Sequence, residues 1–417
     1  MLGWQLDCHP TASRVCPGWQ YNCHPNEQGV SELTTSSATP VSASTWDDFR
    51  RQMPVTRRWA YFDHAAVAPL SGPAQAALAQ WTDDATLNGD VGCPAWSRQI
   101  EQLRTSAARM IGADPTEIAL VANTTAGINL VAEGFPWEPG DNVVTRSDEF
   151  PSNQYPWLHL DSRGVETRRI PCADGRLDLD RLAAACDRRT RIVTLSWVAY
   201  ASGWRHDLDQ VAKIAHDCGA LLFLDAIQGL GVFPLDVSRT PIDFLAADGH
   251  KWLLGPEGAA IFYCRREHLR RLRAVGVGWN SVVNEHDFHR INLVLKDTAV
   301  RYEGGSQNSS GLIALGASIE MLLGYGMEAI SGRVIEITDL ACQRLQEVGA
   351  VLFSDRRPAQ KSGIVTFELP GRDPQEIRRR CLDRHVVLSC RAGKLRISAH
   401  AYNNAEDIER LIEAIEA

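Results

Sequence analysis

Asp225, Gln228 and Lys251 are the residues of this chain whose types and spacing could do covalent chemistry together. Asp225 ends the apolar run 221–225, Gln228 follows three residues later, and Lys251 stands in Asp248-Gly249-His250-Lys251-Trp252. The chain has only five lysines, Lys213, Lys251, Lys296, Lys361 and Lys394, against 38 arginines, so chemistry that needs a deprotonatable amine has few candidates. A carboxylate at the carboxyl end of a core strand lies where the active-site groups of open sheets collect. A lysine that forms a Schiff base, beside an aspartate that keeps a pyridine nitrogen protonated, is the chemistry of pyridoxal phosphate. The same spacing also fits an Asp225 that caps a helix and a Lys251 that faces water. A second candidate is Asn123-Thr124-Thr125, where an apolar strand at 118–121 passes into a helix at 126–133. Such a junction presents free backbone N–H groups and two hydroxyls, which suits a phosphate.

The elements that must position these groups read as alternating strands and helices. Ile100, Leu103, Ala107 and Met110 recur at helical spacing within 96–110, and a second helix is expected over 72–82. Strands are expected at 118–121, 141–145, 165–170, 192–196, 221–225, 243–247 and 259–264, with helices at 126–133, 153–161, 177–186 and 208–218 between them. Apolar strands with little alternation, separated by helices, predict an α/β fold whose mostly parallel sheet is covered on both faces. From residue 311 the pattern changes to long helices at 312–324 and 327–348, then to mixed segments at 363–369, 374–385, 386–389, 395–398 and 405–415. The expected division is therefore an atypical leader over 1–55, partly disordered, a large domain over 56–310 and a smaller α+β domain over 311–417. The first residues of the large domain are expected to pack on the small one.

Composition narrows the function classes. With 44% hydrophobic and 23% charged residues, 32 Gly and 20 Pro, the chain is neither a coiled coil nor a collagen-like fibre nor wholly disordered. Its net charge of −8 gives no support to a general affinity for nucleic acid or for an anionic membrane. No apolar run reaches the 18 or so residues of a membrane span, and the first residues lack the basic start and apolar stretch of a secretory signal. Eleven cysteines, an odd number scattered thinly, fit reduced thiols in a cytoplasmic protein. Cys8, His9, Cys16, Cys23 and His24 lack the short hook of common structural zinc sites, so no metal is assigned to them.

From Tyr61 onward the chain resembles the class V aminotransferase family of fold-type I pyridoxal-phosphate enzymes, the group of cysteine desulfurases, selenocysteine lyases, isopenicillin N epimerase-like proteins and kynureninases. The resemblance is carried in order by Phe62-Asp63-His64-Ala65-Ala66, Asn123-Thr124-Thr125-Ala126-Gly127, Leu224-Asp225-Ala226-Ile227-Gln228, Asp248-Gly249-His250-Lys251-Trp252, Glu303-Gly304-Gly305-Ser306-Gln307 and Leu395-Arg396-Ile397-Ser398. It implies a pyridoxal 5'-phosphate cofactor, an amino acid or related small amine as substrate, and a homodimer with shared active sites. Lys251 matches the Schiff-base lysine that also moves protons at the substrate Cα. Asp225 matches the partner of the pyridine nitrogen, and Gln228 the donor to the phenolic oxygen. Thr124, Thr125 and His250 match the phosphate site, and Ser306 matches a hydroxyl lent by the neighbouring subunit. Arg396 matches the arginine that takes the substrate carboxylate, a role suited to a rigid guanidinium fork. His64 is expected near the substrate, and Phe150 lies where the family stacks a ring over the cofactor. Asp248 stands where several relatives have serine, and there it would repel a phosphate unless it points away or engages His250.

Desulfurases place a histidine at the stacking position and a nucleophilic cysteine in a mobile loop. Here Phe150 replaces the former, and the tight stretch 386–394 around Cys390 replaces the latter. The expected function is thus a pyridoxal-phosphate enzyme acting at Cα by transamination, epimerisation or elimination through a shared quinonoid intermediate. A cysteine desulfurase or selenocysteine lyase is the second reading, and a catalytically silent binding protein on the same fold the third.

Overall fold

In the computed structural model, residues 43–172 and 175–417 are described; the leader residues Cys8, His9, Cys16, Cys23 and His24 lie outside them. The strands are β1 (Ala60–Tyr61), β2 (Ile118–Val121), β3 (Asn142–Arg146), β4 (Glu166–Ile170), β5 (Thr190–Ser196), β6 (Leu221–Asp225), β7 (Phe244–Asp248), β8 (Ala260–Cys264), β9 (Val351–Leu352), β10 (Ile364–Glu368), β11 (Val386–Val387), β12 (Ser389–Arg391) and β13 (Lys394–Ser398). The α-helices are α1 (Ala43–Arg51), α2 (Gly72–Asn88), α3 (Cys93–Ile111), α4 (Thr124–Gly134), α5 (Tyr155–Leu158), α6 (Leu179–Ala185), α7 (Leu208–Asp217), α8 (Ser309–Tyr325), α9 (Met327–Glu347), α10 (Pro374–Asp383) and α11 (Ala405–Glu416).

The α/β reading holds. One seven-stranded sheet has the order β2-β8-β7-β6-β5-β3-β4, with β7, β6, β5, β3 and β4 parallel. Strand β8 runs antiparallel to both β7 and β2, so β2 points the same way as β7 and its carboxyl end joins the others. These strands lack alternation because both faces are covered. Leu222, Leu224 and Leu245 turn to one apolar core, while Phe223, Phe244 and Phe262 turn to another. A four-stranded antiparallel sheet, β12-β13-β10-β9, is built from residues 351–398, and β1 pairs in parallel with β11. Strand β1, near the start of the described residues, is therefore tied to the C-terminal segment.

Three expectations change. The leader is shorter than 55 residues, because α1 is formed and Phe49 and Met53 are buried in the first core. The helix expected over 153–161 is reduced to the single turn of α5 between 3-10 turns, with Pro156 in its first turn, where a missing donor is tolerated. The division at 310/311 falls inside α8, whose Leu312, Leu315, Ile319 and Leu322 belong to the first core. The change of core comes instead along α9, which meets α8 at 83°. Met327, Ile330 and Val334 of α9 lie in the first core, and Ile337, Ala341 and Leu345 in the core of the small sheet. Among the described residues, no single helix is long and apolar enough to cross a membrane.

Candidate active site

The carboxyl ends of β2, β5, β6 and β7 open on a cavity of about 320 Å³ that brings together Thr124, Thr125, Phe150, Asp225, Gln228, His250, Lys251 and Arg396. Asp225 is fixed because β6 is paired on both sides, to Ser196 of β5 and to Ala246 of β7. Its carboxylate accepts from the Ile227 N–H at 3.1 Å. Burial pushes the Asp225 carboxyl well above the ordinary range and the neighbouring Glu149 adds to this, while the Ile227 N–H and Lys251 oppose it. Lys251 is almost fully buried, and burial holds its amine below the usual lysine range although Asp225 favours its charged form. Its Nζ lies 5.6 Å from the centre of the Phe150 ring. That ring is 43% exposed at the cavity mouth and meets Tyr200 edge-on at 5.4 Å.

Thr124 and Thr125 open α4. Asn123 caps the helix by accepting from the Ala126 N–H at 2.8 Å, and Thr124 Oγ1 accepts from the Asp248 N–H at 3.0 Å. The Thr124 hydroxyl keeps its own proton to donate, beside the free N–H groups of the first turn. Asp248 engages His250, with Oδ1 at 3.1 Å from Nδ1. The two atoms are not aligned as a hydrogen bond, and both are buried without a hydrogen-bond partner. Gln228 donates to the Ala65 carbonyl at 3.0 Å and accepts from Trp252 Nε1 at 2.8 Å, which locks the amide and leaves one of its N–H groups free.

Arg396 is 1% exposed. Its Nε donates to Ser389 Oγ at 3.2 Å, Nη1 to the Tyr200 carbonyl at 2.7 Å and Nη2 to Asp63 at 3.1 Å. A guanidinium has five N–H groups, so one remains on each terminal nitrogen to donate to a carboxylate.

Two expected site residues stand elsewhere. His64 is fully buried, donating from Nδ1 to the Ser398 carbonyl at 2.8 Å and accepting at Nε2 from the Tyr402 hydroxyl at 2.8 Å. Both ring nitrogens are occupied, so His64 supports the loop behind Trp252, whose ring lies 5.8 Å away, and does not face the cavity. Ser306 lies in an exposed loop on a separate groove with Val121, Gly304 and Asn308.

Other residues line the cavity that no sequence motif singles out. Ser196, Tyr200, Ser152 and Arg391 line the cavity, and Glu149 accepts from the Ser196 N–H at 3.0 Å. Ser196 could have been found, because it ends the strand beside β6. Arg391 could have been found from its spacing to Arg396 across a tight hairpin. No cysteine lines the cavity among the described residues.

An amine, a carboxylate, a free amide N–H, a helix start with a hydroxyl, and an imidazole nitrogen without a hydrogen-bond partner form a set of polar groups that fits a phosphorylated pyridine aldehyde. The family model described as aminotransferase class-V matches residues 60–411. A probable cysteine desulfurase of Methanothermobacter thermautotrophicus is 31% identical over 396 residues, covering 89% of this chain and 97% of that protein. An isopenicillin N epimerase of Streptomyces clavuligerus is 31% identical over 332 residues, covering 76% of this chain and 83% of that protein. Among solved structures, the apo cysteine desulfurase of Thermococcus onnurineus matches with a TM-score of 0.80 at 26% identity, over 92% of this chain and 98% of that one.

Proposed function

The chain belongs to the aminotransferase class-V family, a family of pyridoxal-phosphate enzymes that act on amino acids, and from that premise we propose that it labilises the Cα–H bond of its substrate without a catalytic thiol. Transamination, epimerisation and elimination are the outcomes this permits. The observation that carries the reading is the alternation of β12. Ser389 pairs with Arg396 and Cys390 with Leu395, so Cys390 shares the face of Leu395, which is buried in the small-sheet core. The Cys390 thiol donates to the Pro374 carbonyl at 3.3 Å, and burial raises its pKa above the ordinary cysteine value.

The cofactor, when bound, supplies the electron sink for the carbanion. Lys251 would hold it, and its amine would move the proton at Cα; burial leaves more of that amine unprotonated at neutral pH than in an exposed lysine. Asp225 would hold a proton at the pyridine nitrogen, and the free Gln228 N–H would serve the phenolic oxygen. Thr124, Thr125 and His250 would hold the phosphate. Arg396 would take the α-carboxylate on its free N–H groups, and Phe150 would cover the ring face. The reading includes a homodimer. It is supported by the exposure of Ser306 away from its own cavity and by a neighbouring segment that presents Phe288, Ile291 and Leu293 to solvent.

The similarity to cysteine desulfurases favours a second reading, sulfur transfer from cysteine. Exchange of the α-proton with deuterium and release of sulfide from L-cysteine separate the two. The Cys390→Ala protein is expected to keep its exchange rate within about twofold, the small effect of a substitution outside the reacting centre. Sulfide production by the wild type that disappears in Cys390→Ala would replace this reading by the desulfurase one.

A further inference from the structure

The alternation that turns Cys390 away from the cavity turns Arg391 toward it. Arg391 lies two residues beyond Ser389 on β12, and Ser389 pairs directly with Arg396, so Ser389, Arg391 and Arg396 share one face of the hairpin. Arg391 lines the same cavity as Lys251 and Arg396. The other two cations have carboxylates of their own, since Arg396 is paired with Asp63 at 3.1 Å and Asp225 stands near Lys251. Arg391 differs. Its Nη1 donates to the carbonyl of the adjacent Cys390 at 2.9 Å, and it forms no ion pair with any carboxylate among the described residues. Its charge is felt in the site: after burial and Arg396, it is among the influences that hold the Lys251 amine down, and it acts on Arg396 in the same sense.

A half-buried guanidinium at a substrate cavity with no carboxylate of its own is a ready acceptor of a second anion. The α-carboxylate is already provided for by the two free N–H groups of Arg396. Arg391 therefore faces whatever the substrate carries beyond Cα. Resting on the functional reading above, we propose that Arg391 recognises an anionic group on the substrate side chain, and that the substrates are amino acids with a side-chain carboxylate.

The test uses the cofactor-loaded protein and follows α-proton exchange in deuterium oxide by proton NMR, comparing L-aspartate with L-asparagine and L-glutamate with L-glutamine. Each amide keeps the shape of its acid and removes the charge. In at least one pair the acid is expected to exceed its amide in kcat/KM by about 30-fold, the loss on breaking a charge-assisted hydrogen bond. In Arg391→Gln the acid-to-amide ratio should collapse toward one, mainly through KM, and Arg391→Lys should restore part of it. A measurement on the wild type alone gives the same decision: glutarate should compete with substrate far better than butyrate, which has a single carboxylate. Equal rates on acids and amides, an unchanged ratio in Arg391→Gln, or butyrate competing as well as glutarate would overturn the proposal. Exchange confined to neutral amino acids would defeat this inference and leave the functional reading standing, whereas no exchange on any amino acid would remove both.

Discussion

Arg396 shows how much of a binding residue is decided by its other partners. Three of its N–H groups are tied to Ser389, Tyr200 and Asp63, which fixes the plane of the guanidinium before substrate arrives. A lysine at this position would keep the charge but could not reproduce the fork. Arg396→Lys should therefore lower kcat/KM by at least about tenfold while cofactor absorbance persists, in keeping with about 1.5 kcal/mol or more for a charge-assisted bond. Unchanged steady-state kinetics would show that the carboxylate is bound elsewhere. The cavity positions of Asp225, Lys251, Thr124, Thr125 and Gln228 were legible because strand ends and helix starts converge in open sheets. His64 was not. Its motif gives the backbone position, but Tyr402, far along the chain, captures the imidazole, and no local pattern reveals that bond.

At the level of elements, the start of α4 is held against β7 by the absence of a side chain. A Cβ on Gly127 would lie 2.7 Å from that of Ala246, closer than carbon atoms approach, so a larger residue must push the helix and its phosphate-facing turn outward. Gly127→Ala should cost about 1–3 kcal/mol in urea unfolding and loosen retention of the cofactor. Gly332→Ala on α9, where nothing lies within 4 Å of the added carbon, is the control and should stabilise by up to about 1 kcal/mol. A Gly127→Ala protein as stable and as well loaded as the wild type would refute the packing argument. Strand limits in the main sheet followed from apolar runs bounded by turns, and β6 lies where the sequence places it. The segment expected at 386–389 divides into β11 and the start of β12, the first strand of the hairpin that bears Arg391. Val386-Val387-Leu388 is one apolar run, yet β11 joins β1 and β12 joins β13, so neighbouring residues serve different sheets.

Over the whole molecule, the most consequential buried groups outside the cavity are neutral histidines. Burial holds His64 at about 3, with His400 adding, and burial holds His400 at about 4 despite its bond to the Trp252 carbonyl. His206 is lowered in the same sense by burial and then by Arg146. The unfolded chain takes up protons below about pH 6.5 and the folded one does not, so stability is complete above that value and is lost as pH falls toward the folded values. Each such histidine should remove about 2 kcal/mol between pH 7.5 and 5. In His400→Gln, whose amide can replace both hydrogen bonds, the unfolding free energy should fall by about 2 kcal/mol less over that interval. An identical pH slope in urea titrations of the two proteins would contradict it. The two-sheet organisation was legible in the change of pattern after residue 311, but its boundary was not, since α8 and α9 are both apolar helices and only packing tells which core each half enters. That boundary bears on inheritance. Recombination between related genes is usually pictured as crossing over in loops, here the turn at Gly326. Such a join would put Met327, Ile330 and Val334 of one parent into the first core of the other, while a crossover within α9, just before Ile337, keeps each core within a single lineage.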